Sequence, residues 1–201
     1  MRVKSEAKRQ LIIDIAKKAF IELGYSNTSM SEIASRVGGS KATLYNYFSS
    51  KEEIFAAVME TAASEQIHKA FQLLEQEQDL EATLVSFGVN YLNSVLSPTL
   101  MSIWKMAITE AGLSDIGYQF YENGPKRGWS ELSDYLKTKM DAGHLMQTDS
   151  MTCALHLKAL IESELFLPVA LHAIPFPEQA QIEMTVSHAV RVFLRAYHPS
   201  V

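Results

Sequence analysis

Apolar residues in the first part of the chain recur at i, i+3 and i+4 and stop at glycines, which is the pattern of amphipathic helices. Leu11, Ile12, Ile15, Ala16, Ala19, Phe20 and Leu23 form one stripe over 5–23, closed by Gly24. Met30, Ile33, Ala34 and Val37 form a second. Gly38 and Gly39 close it, because glycine accepts the positive φ of a C-terminal cap. Ser29 with Glu32, and Ser50 with Glu53, have capping-box spacing and mark two helix starts. Ser40 can cap a short helix over 41–48, with Leu44 and Phe48 facing inward. From Ser50 one long helix is expected, through Ile54, Phe55, Val58, Met59, Ile67, Phe71 and Leu74 to the acidic stretch 75–81. No Pro, Gly or Ser cluster interrupts it, so a continuous rod from head to body is expected.

The same period predicts helices over 82–96, 99–111, 115–141, 149–171 and about 178–197. Gly124-Pro125 should kink or break the third of these, and Pro168 should bend the last turn of the fourth. Pro177 suits the first turn of the last helix. Strand-like alternation and internal repeats are missing. The expected fold is all-α with about nine helices.

Two short helices around a glycine turn are the mark of a helix-turn-helix, whose second helix enters the major groove. With Leu44 and Phe48 inside, Lys41, Thr43, Tyr45, Asn46 and Tyr47 face outward. A lysine can meet phosphate, and threonine and asparagine can meet base edges. Charge agrees with this. Residues 1–51 hold nine Lys/Arg and four Asp/Glu, net +5, while 52–201 hold nine and 19, net −10. A basic head on an acidic body confines DNA contact to one end.

Ala19-Phe20, Gly24-Tyr25, Thr28, Ile33-Ala34, Val37-Gly38, Ser40-Lys41, Thr43-Leu44-Tyr45, Tyr47-Phe48 and Lys51-Glu52 together resemble the DNA-binding domain of TetR-family transcriptional regulators, over residues 8–59. The turn reads Gly38-Gly39-Ser40 where that family often has Gly-Val-Ser, which removes a small hydrophobic anchor. The resemblance implies a DNA-binding set of Thr28, Ser29, Gly39, Ser40, Lys41, Ala42, Thr43, Tyr45, Asn46, Tyr47 and Lys51, the first two meeting phosphate at a helix start. Arg2, Lys4, Lys8 and Arg9 belong to an arm that in homologues often reaches the minor groove. The implied division is a DNA-binding domain over 1–51, continuing into a linking helix 51–75, and a ligand-sensing and dimerisation domain over 52–201. Residues 101–113 and the run Phe120-Tyr121-Glu122-Asn123-Gly124-Pro125 resemble the AcrR/AefR-like subgroup, which implies ligand sensing.

The last two helices, about 150–171 and 178–197, are apolar on more than one face and need burial on each side. The same pair from a second copy makes a two-fold four-helix interface. Such a homodimer reads a palindromic operator in double-stranded DNA, its recognition helices about 34–36 Å apart. Phe87, Tyr91, Met101, Trp104, Ile108, Phe120, Tyr121 and Trp129 are core by default. A cavity among them would take a flat hydrophobic effector. Glu110, Glu162 and Glu164 would select a cation if buried, and are otherwise solvated or paired.

Composition narrows the setting. The chain has 201 residues, is 47% hydrophobic and 20% charged, and holds one cysteine, Cys153, so no internal disulfide forms. The start lacks a signal-peptide pattern, and charges interrupt the apolar region 153–171, so a cytoplasmic protein without a membrane span is expected. Cys153 and His156 share a helical face, but a metal site needs three or four ligands, so no metal is expected. Nucleophile–base pairs, phosphate loops and paired carboxylates are missing, so neither catalysis nor a cofactor is expected. The expected function is a repressor released from its operator by a small hydrophobic or aromatic ligand. A constitutive DNA-binding regulator without an effector is the alternative. An enzyme or scaffold using the helix-turn-helix as an interaction module is a third.

Overall fold

The computed structural model describes residues 5–75 and 79–199, the side chains of 63–66 excepted; Arg2, Lys4 and 76–78 of the expected loop lie outside the described residues. Among the described residues the helices are α1 (Glu6–Leu23), α2 (Met30–Val37), α3 (Lys41–Tyr45), α4 (Lys51–Gln66), α5 (His68–Gln72), α6 (Leu80–Val95), α7 (Pro98–Glu110), α8 (Ile116–Asn123), α9 (Pro125–Asp141), α10 (Ser150–Glu162), α11 (Phe166–Ala170) and α12 (Gln179–Ala196). A 3-10 turn, Leu73–Glu75, follows α5. No strand forms among them, and the all-α class stands.

Twelve helices replace the expected nine because three expected helices are each divided. The rod expected from Ser50 to Leu74 stops at Gln66, and α5 begins at His68. Gly124 and Pro125 separate α8 from α9, with Pro125 at the first helical position, where its missing N–H costs nothing. The helix expected over 149–171 breaks at 163–165, before Pro168 rather than at it. A proline ring excludes the carbonyl four residues earlier from a continuous helix, here that of Glu164, and Pro168 then fits the first turn of α11. Pro177 precedes the N-cap residue of α12, Glu178, and so lies just outside the helix.

The chain divides into two compact units, Met1–Ala62 with Ser102–Gly124, and Ala63–Met101 with Pro125–Val201. The first unit thus takes in most of α7 and all of α8 along with the head. Its head core is Ile12, Ile13, Ala16 and Phe20 of α1, Ile33 of α2, Leu44, Phe48, and Ile54, Phe55 and Val58 of α4, all buried. Phe20, Tyr25 and Phe55 pack as three rings with centroids 5.2–5.5 Å apart. In the second unit α6 packs on α12 and α10, and α10 on α9. Gly88 permits the close approach: a Cβ there would lie 2.6 Å from Val186 Cγ1 and 3.1 Å from Ile161 Cδ1.

Candidate nucleic-acid interface

The turn between α2 and α3 is built by local chemistry. The Ser29 hydroxyl accepts the Glu32 N–H at 3.1 Å and starts α2. Gly38 sits at φ 69°, and the N–H groups of Gly38 and Gly39 return to the carbonyls of Ser35 and Ala34, both at 3.1 Å. That pairing is a Schellman end, and it requires the glycine. Ser40 then starts α3 by accepting the Thr43 N–H at 3.1 Å, and its hydroxyl also meets Thr43 Oγ1 at 3.0 Å. A Cβ at Gly39 would find Thr43 at an ordinary 3.9 Å, so the side chain missing from this turn leaves room, not strain.

Leu44 and Phe48 anchor α3 from below, as the spacing predicts. Gly39, Ser40, Lys41, Ala42, Tyr45 and Asn46 are exposed, and Thr43 and Tyr47 are half-buried. Tyr45 is 51% exposed, a large ring held outward with no core to fill. Tyr47 differs: its phenol oxygen accepts the Ser5 N–H at 3.3 Å, tying the start of α1 to the end of α3. Arg9 lies 5.2 Å from the Phe48 ring centroid and also faces Glu6 at 3.8 Å. Arg36 on α2 is neutralised by Glu22 at 2.5 Å and Glu32 at 2.7 Å.

The structure turns Thr28 inward. It is buried, its hydroxyl directed at the carbonyls of Gly24 (2.8 Å) and Ala19 (3.3 Å), and its N–H donates to the Tyr25 carbonyl at 3.1 Å. Thr28 therefore closes the turn between α1 and α2, with neither donor left for a phosphate. Lys51 is also drawn in: its ammonium donates to the Tyr25 carbonyl at 2.9 Å and stands 4.0 Å from that ring's centroid. The Tyr25 hydroxyl donates to Glu52 at 3.0 Å. Burial, then that carboxylate, pushes the Tyr25 phenol well up. The Glu52 carboxyl is held low, first by its own backbone N–H and then by Ser50, Tyr25 and Lys51.

The residues expected to surround an effector fall in both units. Phe87, Tyr91, Met101 and Trp129 are buried in the second. There Phe71, Phe87, Tyr91 and Trp129 run ring to ring, with centroids 5.2, 5.9 and 5.2 Å apart in turn. Trp104, Ile108, Phe120 and Tyr121 belong to the first unit, with Ile108 and Tyr121 at the surface. Of the three glutamates, Glu110 is buried against Ser26, Glu164 is exposed and accepts the Thr185 hydroxyl at 3.1 Å, and Glu162 lies between Tyr91 and Lys158. Sequence reasoning gives no role to Ser26, and 84 positions separate it from Glu110, beyond the reach of any local pattern.

Cys153 is buried, and burial pushes its thiol up to about 12, away from metal-binding thiolate chemistry. His156 Nδ1 meets the Tyr197 hydroxyl at 2.5 Å instead. On the outer faces of α10 and α12, Leu155, Met184 and Val192 are exposed, while Cys153, Leu157, Ile161, Ile182, Val186 and Val190 fill the inner faces. Among the described residues no helix is long and apolar enough to cross a membrane.

Residues 12–58 match the model of bacterial regulatory proteins of the tetR family, and residues 82–199 match that of the AefR-like transcriptional repressor C-terminal domain. The HTH-type transcriptional activator FasR of Mycolicibacterium smegmatis is 35% identical over 88 residues, which is 42% of this chain and 40% of that protein. The chain thus spans less than half the length of this curated relative. A TetR-family regulator from Mesorhizobium loti has a similar structure, with TM-score 0.86 and 26% identity, covering 98% of this chain and 100% of that one. The Flavonoid-responsive Regulator FrrA follows, with TM-score 0.85, 29% identity and coverage of 98% and 100%.

Proposed function

This chain belongs to the TetR family of bacterial regulators, and we propose on that footing that it is a homodimeric repressor, released from a palindromic operator by a small hydrophobic or aromatic ligand. The observation that carries the reading is the outward face of α3. Lys41, Thr43, Tyr45 and Asn46 stand beyond a turn capped at both sides and seated on Leu44 and Phe48. A short helix held in this way enters a major groove with its register fixed. Ser29 and Ser40 bring exposed hydroxyls to the same helix starts.

Two copies join through α10 and α12. The exposed Leu155, Met184 and Val192 support this, since both helices are apolar on a second face. The two α3 helices then read half-sites about one DNA turn apart. Repression is favoured by the AefR-like C-terminal match, although the relative FasR is an activator. The aromatic run from Phe71 to Trp129, and the likeness to a flavonoid-responsive regulator, support a flat aromatic effector held in the second unit. Its binding biases α4, which leads out of the head. The ligand acts only through a difference in affinity for the two states. A coupling of about 1–3 kcal/mol changes operator affinity about 5–150-fold. Catalysis and cofactors have no part in this scheme, which operates in the cytoplasm.

Selection of duplexes from a random pool by the full-length protein tests the proposal. A palindrome should be recovered that wild type retards and Tyr45→Ala/Asn46→Ala does not, and an aromatic ligand should release it. Retardation indifferent to every aromatic ligand would favour the constitutive alternative. Failure to enrich any duplex would remove the DNA reading.

A further inference from the structure

The aromatic run in the second unit ends on one ion pair. The Tyr91 hydroxyl donates to Glu162 Oε1, and Lys158 Nζ donates to Glu162 Oε2 at 2.6 Å. The same ammonium stands 5.6 Å from the centroid of the Trp129 ring. Burial first, then the Glu162 charge, pushes the Tyr91 phenol far up, so Tyr91 stays the donor and Glu162 the acceptor.

Packing alone does not account for this arrangement. Glu162 is the last residue of α10, where the negative end of the helix dipole disfavours a carboxylate. Lys158 precedes it by four positions, the weaker order for such a pair. Partly buried ion pairs seldom stabilise a fold better than apolar residues of the same shape. In the single protomer the Lys158 side chain is 31% exposed and that of Glu162 14%, while Tyr91 and Trp129 are buried behind them. One phenol is already held here, with Phe87 stacked on its ring.

We propose that Glu162 and Lys158 form the polar anchor of the effector site, and that the effector is a flat aromatic molecule bearing a phenolic hydroxyl. This rests on the reading of the protein as effector-responsive. The ligand hydroxyl donates to Glu162 and accepts from Lys158, so one group satisfies both charges. Tyr91 fills that position in the free protein and competes with the ligand for it. An ether or an unsubstituted ring cannot donate, so it does not replace Tyr91 at the carboxylate and gains nothing from the pair.

Titration calorimetry of the full-length protein with 4′-hydroxyflavone and with flavone tests the anchor. Wild type should bind the hydroxylated probe about ten- to hundredfold more tightly. Glu162→Gln should lose most of that preference while still binding flavone. Tyr91→Phe, a milder change to the fold, should strengthen binding of 4′-hydroxyflavone severalfold and leave flavone unchanged. Equal affinity of wild type for the two probes overturns the anchor and leaves the effector reading standing. So does a preference that survives Glu162→Gln, or a weakening by Tyr91→Phe. Failure of both probes to bind counts against the anchor and the aromatic effector together.

Discussion

The hydroxyl of Ser26 donates to the carboxylate of Glu110 at 2.5 Å, joining the turn after α1 to the last residue of α7 within the first unit. Glu110 is only 7% exposed and ends its helix, where the dipole opposes its charge. Within the first unit the bond holds the turn after α1 to the end of α7. Ser26→Ala strands a buried charge and should lower stability by about 1–3 kcal/mol in urea unfolding. Glu110→Gln keeps an acceptor and should cost less. The double variant should fall short of the sum, because the two residues share one interaction. Additive losses would show that they act separately.

Two lysines near the recognition helix should separate in their effects. Lys41 is exposed, so Lys41→Ala should reduce the slope of log affinity against log salt by about one without moving the melting temperature. Lys51 spans the Tyr25 carbonyl and ring, so Lys51→Ala should cost about 1–2 kcal/mol of stability. Salt-dependent duplex binding together with thermal unfolding checks both. A Lys51→Ala protein that melts like wild type would contradict the inward role.

Gly88→Ala should destabilise by about 1–3 kcal/mol through overpacking. The new methyl would lie 2.6 Å from Val186 Cγ1 and 3.1 Å from Ile161 Cδ1, so α6, α10 and α12 must move apart. Chemical unfolding measures the loss, and Val186→Ala in the same chain should recover part of it. An unchanged midpoint would mean that these helices approach less closely.

Stability should fall at alkaline pH. Tyr91 and Tyr25 are both raised above their ordinary 10.0, chiefly by burial. Above that value the unfolded chain releases these protons and the folded one keeps them. The stabilisation is therefore whole below about pH 10 and is lost as pH rises toward the folded values. Melting temperature followed from pH 8 to 11 should decline, and Tyr91→Phe should flatten the decline. A variant that follows wild type throughout would show that Tyr91 is not held neutral by its surroundings.

Local signals were the legible part. Ser29, Ser40 and Gly38 announce the ends of α2 and α3 through bonds made within a few residues, and each stands where its spacing put it. The inward positions of Leu44 and Phe48 follow from helical period alone. The aromatic run is legible only as composition: the sequence offers Phe87, Tyr91 and Trp129 as bulky apolar residues, but their stacking joins α6 to α9 across distant sequence. Side chains with two plausible uses were not legible. Thr28 and Lys51 have groups that suit a phosphate, and tertiary structure turned both toward carbonyls of the first helix and its following turn. The end of α4 had no proline or glycine to announce it. The split before Pro168 was displaced by four residues because the ring acts on the carbonyl of Glu164, not on its own position.

In the proposed regulator, two copies present paired α3 helices to one palindrome. Sedimentation of the full-length protein with its selected operator, and with a duplex carrying one half-site only, tests it most directly. Two protomers per palindrome, with affinity falling at least a hundredfold on the half-site, is the result predicted. One protomer binding the half-site as tightly as the whole operator would contradict it.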